Sequence, residues 1–209
     1  MPPTPPIKVL TVDDHPMLRE GLAAVIAGHK DLTLVAEAAS GAEAIAAFRT
    51  HRPDVTLMDL QMPDMNGIDA TRAIRADFPN ARIVVLTTYK GDAQALSALK
   101  AGACGYLLKS ALRKELVDAI RAAHAGLRRI PPEIAMAMAE HAGDEQLSAR
   151  EIEILQCAAR GNANKQIAHL CGISEETVKT HMASILGKLG ASDRTHAVTI
   201  ALKRGILEV

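Results

Sequence analysis

Asp54-Val-Thr-Leu-Met-Asp59-Leu-Gln-Met-Pro-Asp-Met-Asn-Gly67 is the stretch that decides the fold. Val55 to Met58 form a short apolar run with a β-branched start, the pattern of a buried strand. Asp59 arrives where that strand should stop, and Pro63 and Gly67 then break regular structure. In an open parallel sheet, sites are built outside the carboxyl ends of the strands. A carboxylate there is a nucleophile, a metal ligand or a helix cap, and this stretch alone leaves all three open.

The same rhythm extends to both sides. Ile7–Val12 reads as a strand running into Asp13-Asp14, and His15 to Gly28 as a helix with Leu18, Leu22, Val25 and Ile26 on one face. Leu32–Ala38 is a second strand, and Ser40-Gly-Ala-Glu43 has the spacing of a capping box opening a helix to about Thr50. Beyond Asp59 come a helix from about Ile68 to Ala76, a strand Ile83–Thr87 and a helix Asp92–Ala101. A short strand Gly105–Leu108 and a helix from about Ala111 to Ala125 complete the series. Five strands alternating with five helices predict an α/β fold, a five-stranded doubly wound parallel sheet covered on both faces.

Residues 126–145 interrupt this pattern. Pro131-Pro132, the Ala/Met-rich run Ile134 to Ala139 and the pair Asp144-Glu145 predict a linker with room for one helix. From there no strand is evident. Leu147-Ser-Ala-Arg-Glu151-Ile152 combines an N-cap serine, a glutamate three residues on and a hydrophobic staple. Helices are expected at about Ser148–Arg160, Asn164–Cys171, Ser174–Lys188 and Ser192–Leu207, separated by Gly161, Gly172 and Gly190. The division is therefore 1–125, a linker at 126–145, and a small all-α domain at 146–209.

Bulk properties narrow the function classes. The 209 residues are 48% hydrophobic and 23% charged, the balance of an ordinary globular chain. No apolar run reaches the ~18 residues of a membrane span, and the proline-rich start lacks the regions of a secretory signal. Cys104, Cys157 and Cys171 are odd in number and widely spaced, which suggests reduced thiols and a cytoplasmic protein. The eight histidines make no H-E-x-x-H spacing. Net charge is zero, but residues 146–209 carry 8 basic against 6 acidic side chains, the sign that suits a DNA-contacting unit.

Chemistry gathers at the strand ends. The first strand delivers Asp13 and Asp14, the third Asp59, the fourth Thr87, and Lys109 follows the fifth. Three clustered carboxylates repel one another unless a cation joins them. A hard divalent ion such as Mg²⁺ suits oxygen donors of this kind. An ion, a lysine and a hydroxyl around a carboxylate are the parts needed to neutralise a phosphoryl group in transfer. Singly, each residue has an ordinary use: Asp14 as a helix cap, Thr87 as a strand hydroxyl, Lys109 as surface charge.

Two signatures carry a family resemblance. Asp13-Asp14, Asp59 to Gly67 in the pattern D-x-x-M-P-x-x-x-G, Thr87, and Ala101-Gly-Ala-Cys-Gly-Tyr-Leu-Leu-Lys109 make residues 1–125 similar to the receiver domain of two-component response regulators. Leu147 to Glu151, Asn164-Lys-Gln-Ile-Ala168 and Gly172-Ile-Ser-Glu-Glu-Thr-Val-Lys-Thr-His181 make residues 146–209 resemble the LuxR-type helix-turn-helix of the NarL/FixJ family. The resemblance implies a flavodoxin-like receiver in which Asp59 accepts a phosphoryl group from a sensor histidine kinase. It implies Mg²⁺ held by Asp14, Asp59 and the carbonyl of Gln61, with Asp13 assisting through water. Lys109 would pair with phosphoryl oxygens, and Thr87 and Tyr106 would form the switch, the ring turning inward behind the hydroxyl. It further implies a transcription factor that binds double-stranded DNA, acts as a homodimer when activated, and has RNA polymerase as a further partner. Ser110 stands where many receivers have proline, and Cys104 where small or acidic residues are commoner.

On the Ser174–Lys188 helix, Val178, Met182, Ile185, Leu186 and Leu189 fall on one stripe. Opposite stand Glu176, Thr180, Ala183 and Gly187, a small face that could enter a major groove. Lys179 is the first candidate for a base contact, with Thr177, Thr180, His181 and Ser184 around it. Lys165 and Lys188 are the candidates for phosphates. Ala197, Val198, Ala201 and Leu202 could supply a dimer seam or simply core.

Other classes fit less well. An aspartyl-phosphate phosphatase generally carries a second Asp two residues past its nucleophile, and here that position is Gln61. A dinucleotide-binding domain wants G-x-G-x-x-G after the first strand, where this chain has Val12-Asp-Asp-His-Pro16. A regulator whose helical domain makes protein contacts is the nearer rival, and a gel-shift separates the two.

Overall fold

The computed structural model describes residues 5–88 and 91–207, so part of the proline-rich start lies outside it. The chain forms two compact units, which among the described residues are 5–88 with 95–132, and 91–94 with 133–207.

The first unit is the parallel sheet. Strands β1 (Ile7–Val12), β2 (Leu32–Ala38), β3 (Val55–Asp59), β4 (Ile83–Thr87) and β5 (Gly105–Leu108) pair in the order β2-β1-β3-β4-β5. The order reverses beside β1, and such a switch point opens a crevice at the carboxyl ends. Helices α1 (Pro16–Ala27), α2 (Gly41–His51), α3 (Gly67–Asp77), α4 (Asp92–Lys100) and α5 (Leu112–His124) alternate with the strands. A single 3₁₀ turn at Lys109–Ala111 precedes α5, which starts one residue later than its pattern suggested.

Packing follows the strand period. Val55 and Leu57 join Val9, Val84, Leu86 and Leu107 in one apolar layer with Leu22 and Ile26 of α1 and Leu116 and Ile120 of α5. Every residue of β3, β4 and β5 is buried, which explains why these strands read as unbroken apolar runs. The caps also form as the spacing suggests: Ser40 accepts from the Glu43 N–H, and the Glu43 carboxylate takes the N–H of Ala39.

The second unit is helical. Pro132–Glu140 (α6) occupies the expected linker, followed by α7 (Ala149–Ala159), α8 (Asn164–Cys171), α9 (Glu175–Leu189) and α10 (Arg194–Lys203). Its core gathers Ile154, Leu155, Ile167, Val178, Met182, Ile185, Ala197 and Ala201. Ala197 and Ala201 are fully buried there, so this part of the α10 face serves as core and not as a seam. The last helix is shorter at both ends than its pattern suggested, because Asp193 caps it through the His196 N–H and positive-φ Gly205 follows it. Among the described residues no helix is long and apolar enough to cross a membrane.

Candidate functional site

Sheet register brings the strand ends to one level. Val12 pairs with Met58, Asp59 with Leu86, and Thr87 with Leu108, so Asp13, Asp59, Thr87 and Lys109 leave adjacent strands side by side. Asp13 and Asp59 are buried at 0% and 1% exposure. The Lys109 ammonium lies between them, 2.8 Å from Asp13 Oδ2 and 3.0 Å from Asp59 Oδ1. Lys109 reaches this position because the 3₁₀ turn begins on it directly after β5.

The two carboxyls differ in how far they are satisfied. Asp13 Oδ1 accepts the His15 N–H at 2.9 Å, and Oδ2 faces the lysine. Asp59 has the lysine on one oxygen, while Oδ2 is buried without a hydrogen-bond partner among the described residues. Burial pushes the Asp59 carboxyl up to about 6; Lys109 pulls against that rise and the Asp13 charge adds to it. For Lys109, burial disfavours the charge, but Asp13 and Asp59 outweigh it and hold the ammonium above its ordinary value. An unsatisfied, partly neutralised carboxyl is a poor device for stability and a usual sign of a working site.

Asp14 completes the acidic group. One ligand atom from each of Asp13, Asp14, His15 and Asp59 lies within 4.8 Å of the others. The spare lone pairs of Asp59 Oδ2 and the oxygen-rich donor set fit a hard divalent cation. Gln61 is half-buried two residues beyond Asp59, in the turn that leads to α3.

Two further features hold the acceptor. Gly67 at the start of α3 lies so close to the Asp59 peptide that a Cβ would stand 1.9 Å from its carbonyl oxygen. The glycine of the D-x-x-M-P-x-x-x-G pattern is thus needed for close backbone approach as well as for chain reversal. On the other side Tyr106 is buried, and its phenol is hydrogen-bonded to Thr87. Burial, opposed by that bond, pushes the phenol up to about 12. The ring lies inward in this structure.

In the helical unit, α9 presents the predicted faces. Val178, Met182 and Ile185 are buried, and Glu176, Lys179, Thr180, Ala183 and Gly187 are exposed. Ser174 caps the helix through the Thr177 N–H, and the Thr177 hydroxyl lies 2.8 Å from the Ser174 hydroxyl. Lys179 is exposed with Glu176 3.2 Å away, Thr180 donates to the Glu176 carbonyl, and His181 is half-buried. Lys165 stands exposed in the first turn of α8.

Two candidates are also bonded within their own unit. Ser184 donates to Glu151 Oε1 at 2.7 Å, and Lys188 is 3.0 Å from Glu151 Oε2 and 3.3 Å from Glu145. Lys188 is thus ion-paired inside its own unit. The reason is Glu151. Its side chain closes the capping box by accepting from the Ser148 N–H at 2.7 Å, and it also reaches across to α9. Burial would raise its pKa, but the Ser148 N–H, the Ser184 hydroxyl and the Lys188 ammonium outweigh this and draw it down to about 2. The capping spacing was legible in the chain; the reach to α9 has no local signal.

Residues 9–121 match the response regulator receiver domain family, and residues 145–201 match the bacterial regulatory proteins of the luxR family. The chain belongs to the response regulators with a LuxR-type DNA-binding domain. It is a DNA-binding transcriptional response regulator, of a family of transcription factors and not of enzymes. It is 42% identical over 213 residues to the uncharacterized transcriptional regulatory protein YxjL of Bacillus subtilis, covering 97% of this chain and 98% of that one. The crystal structure of the response regulator ChrA of a heme-sensing two-component system is 41% identical, with a TM-score of 0.58 over 98% of this chain and all of that one (100%). The RcsB regulator of Salmonella enterica serovar Typhimurium, bound to a promoter in the presence of the phosphomimetic BeF3-, is 26% identical with a TM-score of 0.70. That match covers 95% of this chain and 98% of RcsB.

Proposed function

We propose that this response regulator, as a cytoplasmic protein, takes a phosphoryl group from a sensor histidine kinase onto Asp59 and then binds DNA as a dimer. The observation that carries this reading is the unsatisfied Asp59 Oδ2, buried beside a lysine at the carboxyl edge of the sheet. With a pKa of about 6, Asp59 is mostly ionised near neutral pH and can attack as a nucleophile. An O–P bond forms at its carboxylate as the N–P bond to the donor imidazole breaks, and the imidazole leaves. Lys109, already 3.0 Å from Asp59, neutralises charge on the transferred oxygens. Asp13 keeps Lys109 in place through its 2.8 Å contact. Asp14, Asp59 and the Gln61 carbonyl would hold Mg²⁺, with Asp13 acting through water, and the ion would offset phosphoryl charge.

Thr87 and Tyr106 supply the switch. The Thr87 hydroxyl is held by the Tyr106 phenol here, and a phosphoryl group on Asp59 offers it a stronger, charged acceptor. Redirection of that hydroxyl changes the β4–β5 surface, which shifts a population instead of creating a new fold. In the DNA complex α9 enters the major groove, Lys179 reads a base edge with Thr180, Thr177 and His181 near it, and Lys165 meets a phosphate. A weak net charge on the helical unit favours two linked half-sites over one. RcsB, bound to its promoter with a phosphomimetic present, supports this order of events.

Incubation of the full chain with acetyl phosphate and Mg²⁺ tests the acceptor. One phosphoryl group should add by mass, and Asp59→Asn should add none. Full labelling of that variant would remove Asp59 from the reaction. A gel-shift on genomic fragments, with and without acetyl phosphate, should show tighter binding by the phosphorylated chain.

A further inference from the structure

His15 follows the acid pair directly, yet phosphoryl transfer as described gives it no part. Its backbone is set by Pro16, which opens α1 and holds the residue before it in extended conformation. His15 has φ −86° and ψ 110°, and its side chain does not cap the helix. The ring turns toward the acids. Nδ1 lies 2.7 Å from Asp14 Oδ1 and 3.2 Å from Asp13 Oδ1.

We propose that His15 is a nitrogen ligand at this acidic site, which thereby accepts an imidazole-seeking first-row dication such as Fe²⁺, Co²⁺ or Zn²⁺ as well as Mg²⁺. The proposal rests on the reading of Asp14 and Asp59 as a cation site. Four donors, one each from Asp13, Asp14, His15 and Asp59, lie within 4.8 Å of one another. Ligands held about 2.1 Å from a single ion stand at most about 4.2 Å apart, so small side-chain adjustments close them around one centre. Asp59 Oδ2, buried and without a hydrogen-bond partner among the described residues, belongs to a carboxyl of this same set. Carboxylates, carbonyls and water satisfy Mg²⁺, whereas an imidazole adds affinity chiefly for the later first-row metals. The contact between His15 and Asp14 keeps the ring aimed at the carboxylates when no ion is present.

Titration calorimetry of the full chain with Mg²⁺ and with Co²⁺, joined to the visible spectrum of bound Co²⁺, tests the proposal. The ring is 69% exposed, so His15→Ala and His15→Gln should fold normally. Both should lose about tenfold or more in Co²⁺ affinity and less than about threefold in Mg²⁺ affinity, with altered Co²⁺ bands. Equal changes for the two ions, or an unchanged Co²⁺ spectrum, would show that His15 only orients Asp14 and would overturn the proposal. Asp14→Asn separates the two levels: it should weaken both ions. If it weakens neither, or if the wild-type chain binds neither ion at one per chain, the carboxylate site itself falls and the proposal with it.

Discussion

Each unit of this protein contains a buried carboxylate with a lysine against it, and the two have opposite fates. Asp59 sits 3.0 Å from Lys109 with one oxygen unpartnered among the described residues, and its pKa is raised to about 6. Glu151 sits 3.0 Å from Lys188, is further satisfied by Ser148 and Ser184, and its pKa falls to about 2. A lysine neighbour therefore does not decide what a carboxylate does. What decides is the balance between burial and partners: around Asp59 burial and the Asp13 charge prevail, whereas around Glu151 the Ser148, Ser184 and Lys188 donors outweigh burial. Glu151 is a tie between helices; Asp59 is kept open for chemistry.

Substitution should expose the contrast in opposite directions. Glu151→Ala breaks the tie between α7 and α9 and leaves Lys188 and Ser184 without their acceptor. We expect a loss of about 3 kcal/mol in the helical unit, read as a lower urea midpoint by circular dichroism. A change below about 0.5 kcal/mol would show that the tie is ornamental. Lys179→Ala, on the face that Glu151 helps to hold, should weaken binding to a specific site by about 1–3 kcal/mol. An equal loss on random duplex would make Lys179 a phosphate contact.

Asp59→Asn should do the reverse of Glu151→Ala. It removes a charge that the fold does not satisfy, so the variant should gain about 1 kcal/mol while losing phosphoryl transfer. A less stable variant would mean that Asp59 holds structure, contrary to the comparison. Acid titration reads the Glu151 tie in a second way. Glu151 has a folded pKa below its ordinary 4.5, so its stabilisation is fully present above about pH 4.5 and fades as pH falls toward about 2. Circular dichroism melts across that window should show a steeper decline for wild type than for Glu151→Gln.

Much of this was legible along the chain because it depends on local chemistry. Strands β1, β2, β4 and β5 lie where apolar runs and breakers put them, and Ser148 and Ser174 cap where capping patterns begin. Helix ends were less legible. The 3₁₀ turn at Lys109 delays α5, and Gly205 follows an α10 that ends at Lys203, both set by backbone geometry that periodicity does not encode. Ser184 was read as flanking the outer face and Lys188 as a phosphate candidate, and Glu151, more than thirty residues earlier, bonds to both.

By itself the sequence determined which residues end the strands, where the helices are capped and which stripe of α9 is apolar, since each depends on neighbours within a few positions. Only the tertiary structure decided that Asp59 keeps an empty lone pair, that Glu151 has none, and that His15 turns toward the acids. Those outcomes rest on distances between segments far apart in the chain, and sheet register and helix packing set such distances.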